Sequence, residues 1–286
     1  MQKIGVIGMG IMGAPMAVNL MKAGFDVTVF NRDPKKSKPV QEAGAAVAGS
    51  IGELAATREA VVVVVSDDDA VRAVCLGEGG IEGAGREGLL VIDASTALPD
   101  TTIEVAAALR ARGMVYLDAP VTGSKPQAES GTVFFLAAGD KAGYQRAVPL
   151  FEAMGRRHIY LGENGMGTCA KLCNNLCGFI NLAAFSEALA IGSKFGLEPE
   201  LLCEVIGDSG GRSAAMEGKW PKMLERDWSP QFALPLAAKD MRLAQELSEK
   251  VGVDARIIAT AMEVYAEATP GGEGKDFCSL IEWYEQ

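Results

Sequence analysis

Short, nearly continuous apolar runs alternate with amphipathic stretches through the first half of the chain. We predict strands at these runs: Ile4–Ile7, Val27–Phe30, Val61–Val65, Leu89–Ile92, Val115–Leu117, Val133–Ala137 and His158–Leu161. Helical periodicity is found between them, for example at Met12–Ala23, Pro99–Ala111 and Lys141–Met154. Strands that are apolar on both faces and alternate with helices are typical of a parallel sheet covered on both sides. The first half is therefore predicted to be an α/β domain.

The pattern changes near the segment GENGM at 162–166. From there to the end we find no strand pattern, because the apolar positions recur at helical spacing. The predicted helices are approximately Gly167–Phe195, Pro199–Asp208, Pro235–Val251 and Ala255–Ala268, followed by a short one near the end. We therefore predict an α/β domain over residues 1–164 and an all-helical domain over residues 165–286.

Composition and charge narrow the function classes. The 286 residues are 49% hydrophobic, which excludes disorder over most of the chain. The net charge of −10 argues against nucleic acid and membrane surfaces as partners, and the longest apolar run, at 60–65, is too short to span a bilayer. Six cysteines without a CxxC pair, and a single histidine that we interpret as structural, His158, disfavour a zinc site. Without a secretory signal pattern, we expect a cytoplasmic protein with reduced thiols.

The sequence GVIGMGIMGAPM follows the first predicted strand and opens the first helix. Its Gly8, Gly10 and Gly13 have the G-x-G-x-x-G spacing of a dinucleotide-binding turn. The first glycine permits the bend, the second lets the backbone approach a pyrophosphate, and the third lets helix and strand pack closely. The helix N-terminus offers its N–H groups to the phosphates. We predict a Rossmann domain here, with a glycine turn that has no ligand as the alternative. Cofactor contacts are also assigned to the residues between the glycines: Met9, Ile11 and Met12.

The second predicted strand ends in VTVFNRDP, where an NAD-selective domain usually has an acid that binds the ribose hydroxyls. Asn31 and Arg32 stand there instead. An acid would repel a 2′-phosphate, whereas Arg can pair with it through two hydrogen bonds. Lys36 and its lysine neighbours at 35 and 38 add positive potential. The sequence therefore predicts NADP(H), with Arg32 as a solvated loop residue as the alternative.

Two acidic segments are assigned local roles. Asp33 is predicted to cap the helix that follows it, and SDDDA at 66–70 is predicted to cap the helix after the strand at Val61–Val65. Ser66, the first residue of the second segment, is also assigned to the cofactor site.

The segment GMGTCAKLCNN at 165–175 opens the long helix and carries the candidate acid. Lys171 and Asn175 are one turn apart and share a face. On a helical projection, Cys169, Cys173 and Cys177 span about 80°, while Lys171 and Asn175 lie roughly 200–240° from Cys169. We predict that the cysteine face packs into the core and that the Lys171 and Asn175 face looks elsewhere. A lysine can protonate a carbonyl that receives a hydride; a solvated helix lysine is the alternative.

Five motifs occur in order along the chain: GVIGMGIMGAPMAVNL, DASTALP, DAPVTGSKPQAESGT, GMGTCAKLCNNL and FALPLAAKDMRLA. With them the chain resembles the β-hydroxyacid dehydrogenases, the family of 3-hydroxyisobutyrate and tartronate semialdehyde reductases. The resemblance covers nearly the whole chain. It implies a Rossmann domain followed by an all-helical domain, joined by a long helix, and a homo-oligomer, dimer or tetramer, formed through the helical domain.

The same resemblance implies roles for individual residues. Lys171 would be the catalytic acid and base, Asn175 would orient the substrate, and Thr96 in DASTALP would lie near the nicotinamide. Thr122, Gly123 and Ser124 would hold the substrate carboxylate. Residues of the helical domain would close the cleft, with Lys239 also assigned to the cofactor: Phe232, Lys239 and Asp240.

The loop VTGSKP departs from the VSGG of many family members, since Thr122 keeps a hydroxyl but adds a methyl group. This variant is most similar to the glyoxylate/succinic semialdehyde reductases, which use NADPH. The resemblance therefore implies reduction of a small oxo-acid: succinic semialdehyde to 4-hydroxybutyrate, or glyoxylate to glycolate. A 3-hydroxyisobutyrate or tartronate semialdehyde dehydrogenase is the alternative, and a non-catalytic NADP-binding protein is a remote one. Imine reductases share the architecture but usually lack the lysine.

Overall fold

The computed structural model describes the whole chain, Met1–Gln286. It divides into two compact units, Met1–Lys171 and Leu172–Gln286. The first unit is an α/β domain and the second is helical, which confirms the predicted fold class. The predicted division after residue 164 falls just before the helix that opens at Met166, whereas the division between the compact units lies within that helix.

The first unit contains a nine-stranded sheet. Its strands are β1 (Lys3–Ile7), β2 (Asp26–Phe30), β3 (Ala46–Val47), β4 (Ala60–Val63), β5 (Leu90–Asp93), β6 (Val115–Asp118), β7 (Val121–Thr122), β8 (Val133–Gly139) and β9 (Gly155–Tyr160). Each of the seven predicted strands overlaps one of these. The prediction missed β3 and β7, because a two-residue strand leaves no periodic signal.

The strand order is β3-β2-β1-β4-β5-β6-β8-β7, with β9 paired to β8. The six strands from β3 to β6 are all parallel, in the doubly wound order that places the reversal of winding between β1 and β4. The sheet is mostly parallel, as predicted, and β8 is the exception, since it runs antiparallel to β6 and β7. An apolar run shows that a strand is buried on both faces but carries no information on its direction.

Helices cover both faces of this sheet. They are α1 (Gly13–Lys22), α2 (Lys38–Glu42), α3 (Ile51–Thr57), α4 (Asp68–Leu76), α5 (Ile81–Ala84), α6 (Pro99–Ala111), α7 (Lys125–Glu129) and α8 (Lys141–Met154), with a 3-10 turn at Pro34–Ser37. Two separate apolar clusters result. Leu20 of α1 and Phe151 of α8 pack with Val62 on one face, and Leu54 of α3 packs with Val63 on the other. The alternation of buried side chains along β4 therefore supplies both cores.

The remaining helices are α9 (Met166–Phe195), α10 (Pro199–Gly207), α11 (Ala214–Glu217), α12 (Trp220–Glu225), α13 (Leu234–Lys250), α14 (Arg256–Ala268) and α15 (Ile281–Tyr284), with a 3-10 turn at Phe277–Leu280. Residues 166–171 of α9 belong to the first unit and the rest to the second. In the second unit the chain forms one isolated bridge, between Ala233 and Asp276.

By length and composition alone, α9 could also cross a membrane. Its most apolar 18-residue window has a mean hydropathy of 1.5, and 44% of that window is buried inside the protein. No uninterrupted apolar run marks this helix in the sequence, because polar residues such as Lys171 and Asn175 interrupt it. Core helices of globular proteins pass the same test, so the finding does not assign α9 to a membrane.

Candidate active site

The three glycines of the turn after β1 meet two different requirements, one of the fold and one of ligand binding. Gly8 has φ +100°, and a Cβ there would lie 2.0 Å from the carbonyl oxygen of Val64. A Cβ at Gly13 would lie 1.9 Å from the carbonyl oxygen of Gly8. A Cβ at Gly10 would meet no protein atom within 4 Å. The fold itself therefore needs Gly8 and Gly13, whereas Gly10 keeps open the space through which a pyrophosphate would approach the backbone.

The predicted cofactor residues of the first unit follow the carboxyl ends of neighbouring parallel strands. The glycine turn follows β1, Asn31 and Arg32 follow β2, Ser66 follows β4, and Thr96 follows β5. In parallel strands these ends share one edge of the sheet, and β1 and β4 flank the point where ligands bind in doubly wound folds. The structure thus brings this set to one edge.

Asn31 braces the glycine turn. The Met9 N–H donates to Asn31 Oδ1 at 2.8 Å, and Asn31 Nδ2 donates to the carbonyl of Asp33 at 2.9 Å. The Met9 side chain is buried in the core, Met12 is half-buried and Ile11 is exposed. Of the residues between the glycines, Ile11 therefore presents the most side-chain surface.

Arg32 and Lys36 are exposed beside this turn, together with the lysines at 35 and 38. Asp33, the neighbouring acid, accepts a hydrogen bond from the Lys35 N–H at 3.0 Å and caps the 3-10 turn, as predicted. Because the carboxylate is engaged locally, the segment presents an excess of cations after β2, where doubly wound folds bind the ribose of a dinucleotide.

The acidic segment after β4 also caps its helix as predicted. Asp67 accepts from the Ala70 N–H at 2.8 Å at the start of α4, and the Ser66 hydroxyl donates to Asp67 at 2.6 Å. This places Ser66 beside the first turn of α4.

The loop that carries Thr96 is fixed on both sides. Buried Asp93 accepts from the Ser95 N–H at 2.9 Å and from the Tyr116 hydroxyl at 2.7 Å. Asp68 accepts from the Leu98 N–H at 2.8 Å. Burial raises the pKa of Asp93, and the hydrogen bonds from Ser95 and Tyr116 oppose this rise. The half-buried Thr96 therefore lies in a loop with a defined backbone.

The loop after β6 holds the three predicted carboxylate-binding residues, Thr122–Ser124, which we call the carboxylate cradle. Thr122 is half-buried in β7, and Gly123 has φ +121°. The N–H and the hydroxyl of Ser124 both point to Gln127 Oε1, at 2.9 and 3.0 Å. Ser124 thus directly precedes α7, and the loop forms a fixed turn.

The burial of α9 reverses one prediction. Lys171 and Asn175 are only 6% and 8% exposed, whereas Cys173 and Cys177 are exposed. The predicted core face was therefore wrong, because larger side chains such as Leu172 define the buried side of the helix. A buried lysine is not the solvated helix lysine of the alternative interpretation.

In the second unit, Asn175 and Asp240 form one cluster. Asn175 Nδ2 donates to Asp240 Oδ2 at 2.7 Å, and Lys239 Nζ lies 2.9 Å from Asp240 Oδ1. Asp240 is buried, and the hydrogen bond to its carboxylate fixes the Asn175 amide. Phe232 belongs to an aromatic cluster of this unit, with its ring 5.7 Å from Phe179 and 5.9 Å from Phe277.

Sequence reasoning missed the groups that hold these residues. Buried Lys219 lies 2.9 Å from Asp276, whose carboxylate also accepts from the Phe232 N–H at 3.0 Å. Burial opposes ionisation of Asp276, but Lys219 and backbone N–H groups hold its pKa below the usual value. Asp118, the first residue of DAPVTGS, is fully buried and accepts hydrogen bonds from the start of α9. Lys219 and Asp276 are 57 residues apart, and Asp118 and Thr168 are 50 residues apart, so no local sequence pattern indicates either pairing.

His158 has a structural environment, as interpreted from the sequence. Its Nδ1 lies 2.7 Å from the Tyr144 hydroxyl, and its ring lies 5.6 Å from Phe151.

Comparisons with known proteins agree with this geometry. Residues 3–162 match the NAD-binding domain family of 6-phosphogluconate dehydrogenase, and residues 165–284 match the NAD-binding family of NADP-dependent 3-hydroxyisobutyrate dehydrogenase. The chain is 38% identical to glyoxylate/succinic semialdehyde reductase 2 (chloroplastic) of Arabidopsis thaliana over 98% of its length and 78% of the relative's. The chain is 36% identical to glyoxylate/succinic semialdehyde reductase 1 of the same plant, over 98% of its own length and 97% of the relative's.

A solved structure extends the likeness to three dimensions. The structure of a Mycobacterium tuberculosis 3-hydroxyisobutyrate dehydrogenase with L-serine is 31% identical and has a TM-score of 0.91, over 99% of this chain and 98% of that one. The NAD-binding matches and the open space at Gly10 together indicate a nicotinamide cofactor. The chain belongs to the β-hydroxyacid dehydrogenase family and is an NAD(P)-dependent oxidoreductase.

Proposed function

We propose that this protein is an NADPH-dependent reductase of short aldehyde and oxo acids. Succinic semialdehyde would be reduced to 4-hydroxybutyrate, and glyoxylate to glycolate. The observation that carries the proposal is a buried lysine, Lys171, in the same compact unit as the glycine turn and the carboxylate cradle. The names of the two plant relatives support this substrate class.

The preference for NADPH rests on the exposed cations after β2. Arg32 can form two charge-assisted hydrogen bonds with a 2′-phosphate, and Lys36 adds attraction. The nearest acid, Asp33, is engaged in capping. The family matched by residues 165–284 is itself described as NADP-dependent.

The chemistry divides between cofactor and protein. When bound, the cofactor supplies a hydride to the carbonyl carbon of the substrate. Negative charge then develops on the carbonyl oxygen, and the Lys171 ammonium stabilises this charge and donates a proton from Nζ. In the reverse direction, neutral Lys171 Nζ accepts the proton of the hydroxy acid.

The carboxylate cradle, in the same unit as Lys171, orients the substrate in this proposal. Its backbone N–H groups and hydroxyls bind the acid end, with the Ser124 N–H and hydroxyl exchanging Gln127 Oε1 for a carboxylate oxygen. A substrate without a carboxylate cannot form these charge-assisted hydrogen bonds, which penalises its binding far more than the loss of one methylene does.

The second candidate is oxidation of 3-hydroxyisobutyrate, or reduction of tartronate semialdehyde. The structural likeness to the Mycobacterium tuberculosis 3-hydroxyisobutyrate dehydrogenase favours it. These reactions would use the same lysine and the same cofactor and differ in the shape of the substrate.

Steady-state oxidation of NADPH tests the proposal. Succinic semialdehyde and glyoxylate should be reduced with kcat/KM at least about 100-fold above that of butyraldehyde, which has no carboxylate but a similar chain. Equal efficiency for butyraldehyde and succinic semialdehyde would refute the carboxylate cradle. If neither oxo-acid reacts and 3-hydroxyisobutyrate is oxidised well, the second candidate holds instead.

A further inference from the structure

We propose that Asp118 is a positioning residue that sets the distance between Lys171 and the carboxylate cradle. The inference rests on the proposed function, in which Lys171 donates the proton and Thr122–Ser124 hold the acid end of the substrate. It assigns to one buried carboxylate the task of joining these two parts.

Asp118 takes the place of a helix cap for α9. Its carboxylate accepts from the Gly165 N–H at 3.1 and 3.2 Å and from the Thr168 N–H at 3.1 Å. Asn164 Nδ2 donates to it at 3.1 Å as well. The first N–H groups of a helix have no partners within the helix, and Gly165 has no side chain to supply one. A residue 47–50 positions earlier in the chain thus satisfies the helix start.

The contact is tight because two glycines permit it. Gly165 has φ +97°. A Cβ at Gly167 would lie 2.4 Å from the carbonyl oxygen of Leu136 and 2.8 Å from both the carbonyl oxygen and the Oδ2 of Asp118. The first turn of α9 is therefore pressed directly onto β6 and β8, with no room for a side chain between them.

Sequence spacing then links Asp118 to both parts of the site. Lys171 follows Thr168 by three residues, which is about 4.5 Å along the helix axis. Thr122 follows Asp118 by four residues in the chain. A shift of the helix start relative to β6 would therefore change the separation between the Lys171 side chain and the cradle. All of these residues belong to the first compact unit.

The carboxylate is balanced between burial and hydrogen bonding. Burial raises the pKa of Asp118, while the donors Asn164, Gly165 and Thr168 oppose the rise. An amide at this position keeps one accepting oxygen but turns its NH₂ group toward donors. An alanine removes every acceptor. Asp118→Asn should therefore weaken the contact, and Asp118→Ala should remove it.

The test is a ratio that the amount of folded enzyme does not change. We would measure kcat/KM for succinic semialdehyde and for butyraldehyde, and divide the first by the second. A change that only destabilises the protein lowers both values equally. A change in the distance between proton donor and cradle penalises the substrate that must reach both. NADPH binding, followed by fluorescence, would report how much folded protein is present.

The expected result is at least a tenfold fall in this ratio for Asp118→Ala and a smaller fall for Asp118→Asn. The control is Asp140→Ala, which removes the cap of α8, where Asp140 accepts from the Gly143 N–H at 2.6 Å. It should leave the ratio unchanged, because α8 carries no site residue. If Asp118→Ala does not fold, Asp118→Asn decides.

A ratio within twofold of the wild type in the folded Asp118 variants would overturn the inference. Lys171→Ala separates this failure from failure of the proposed function. Loss of the proton donor should lower the rate with both substrates and leave the ratio intact. A wild-type enzyme without any preference for succinic semialdehyde would instead overturn the cradle, and the role of Asp118 with it.

Discussion

Replacing Gly10 with alanine should weaken cofactor binding without unfolding the protein. The Cβ would meet no protein atom within 4 Å, and Gly10 does not occupy the left-handed region. A Gly→Ala change at a compatible backbone position stabilises a protein by about 0.4–1 kcal/mol, so the melting temperature should hold or rise slightly. The new methyl group would occupy the space of the pyrophosphate, and the Kd for NADPH should increase at least tenfold, about 1.4 kcal/mol.

Gly13→Ala should have the opposite effect on stability and lower the melting temperature. Its Cβ would lie 1.9 Å from the carbonyl oxygen of Gly8, so the backbone must move. Overpacking of this kind costs about 1–3 kcal/mol, which lowers the melting temperature of a unit of this size by roughly 2–12 °C. Thermal unfolding by circular dichroism and NADPH titration by fluorescence measure both effects. Gly83→Ala, in α5 with no protein atom within 4 Å of the new Cβ, is the matched control.

The reasoning is refuted if Gly10→Ala unfolds as readily as Gly13→Ala, or if it binds NADPH with unchanged affinity. In the first case the turn would need Gly10 for its own conformation. In the second case the open space at Gly10 would not be the path of the pyrophosphate.

Two further predictions concern charge. Arg32→Ala should raise the KM for NADPH on the order of tenfold or more, from loss of about 1.5–3 kcal/mol, and barely change that for NADH; equal effects on both would refute the phosphate assignment. Lys219→Met should destabilise the protein by about 3–5 kcal/mol at pH 7, because Asp276 stays buried and charged. Since the folded-state pKa of Asp276 is lowered, its ionisation adds stability that is present above its unfolded pKa, about 3.9, and lost in more acidic solution. The difference between variant and wild type in urea unfolding should therefore shrink below about pH 4, and a difference independent of pH would contradict the ion-pair account.

Much of the first unit could be predicted because its signals are local. The bounds of α6 and α8 agree with the predicted Pro99–Ala111 and Lys141–Met154, since Pro99 opens one helix and Asp140 caps the other. The glycine spacing, together with its place between a predicted strand and a predicted helix, predicts the turn, and the three glycines differ in their surroundings as the motif requires.

Other features depend on contacts that spacing does not encode. The antiparallel direction of β8 follows from its pairing with β6 and β7. The cysteine stripe of α9 was assigned to the wrong side because small apolar residues are tolerated on either face, whereas Leu172 must be buried. Asp118 and the Lys219–Asp276 pair are defined by partners about 50 residues away. The supporting groups of the site are therefore less predictable than the motifs they support.

The central claim is that Lys171 protonates the reduced carbonyl of a short oxo-acid, and turnover by Lys171→Ala tests it most directly. The measurement is NADPH oxidation with saturating succinic semialdehyde, on protein shown by fluorescence to bind NADPH. Proton donation by a positioned side chain accelerates a reaction roughly 10²–10⁴-fold. We therefore expect kcat to fall at least about 100-fold, while the Kd for NADPH stays near that of the wild type. A Lys171→Ala enzyme that turns over at a near-normal rate would show that the proton comes from another group.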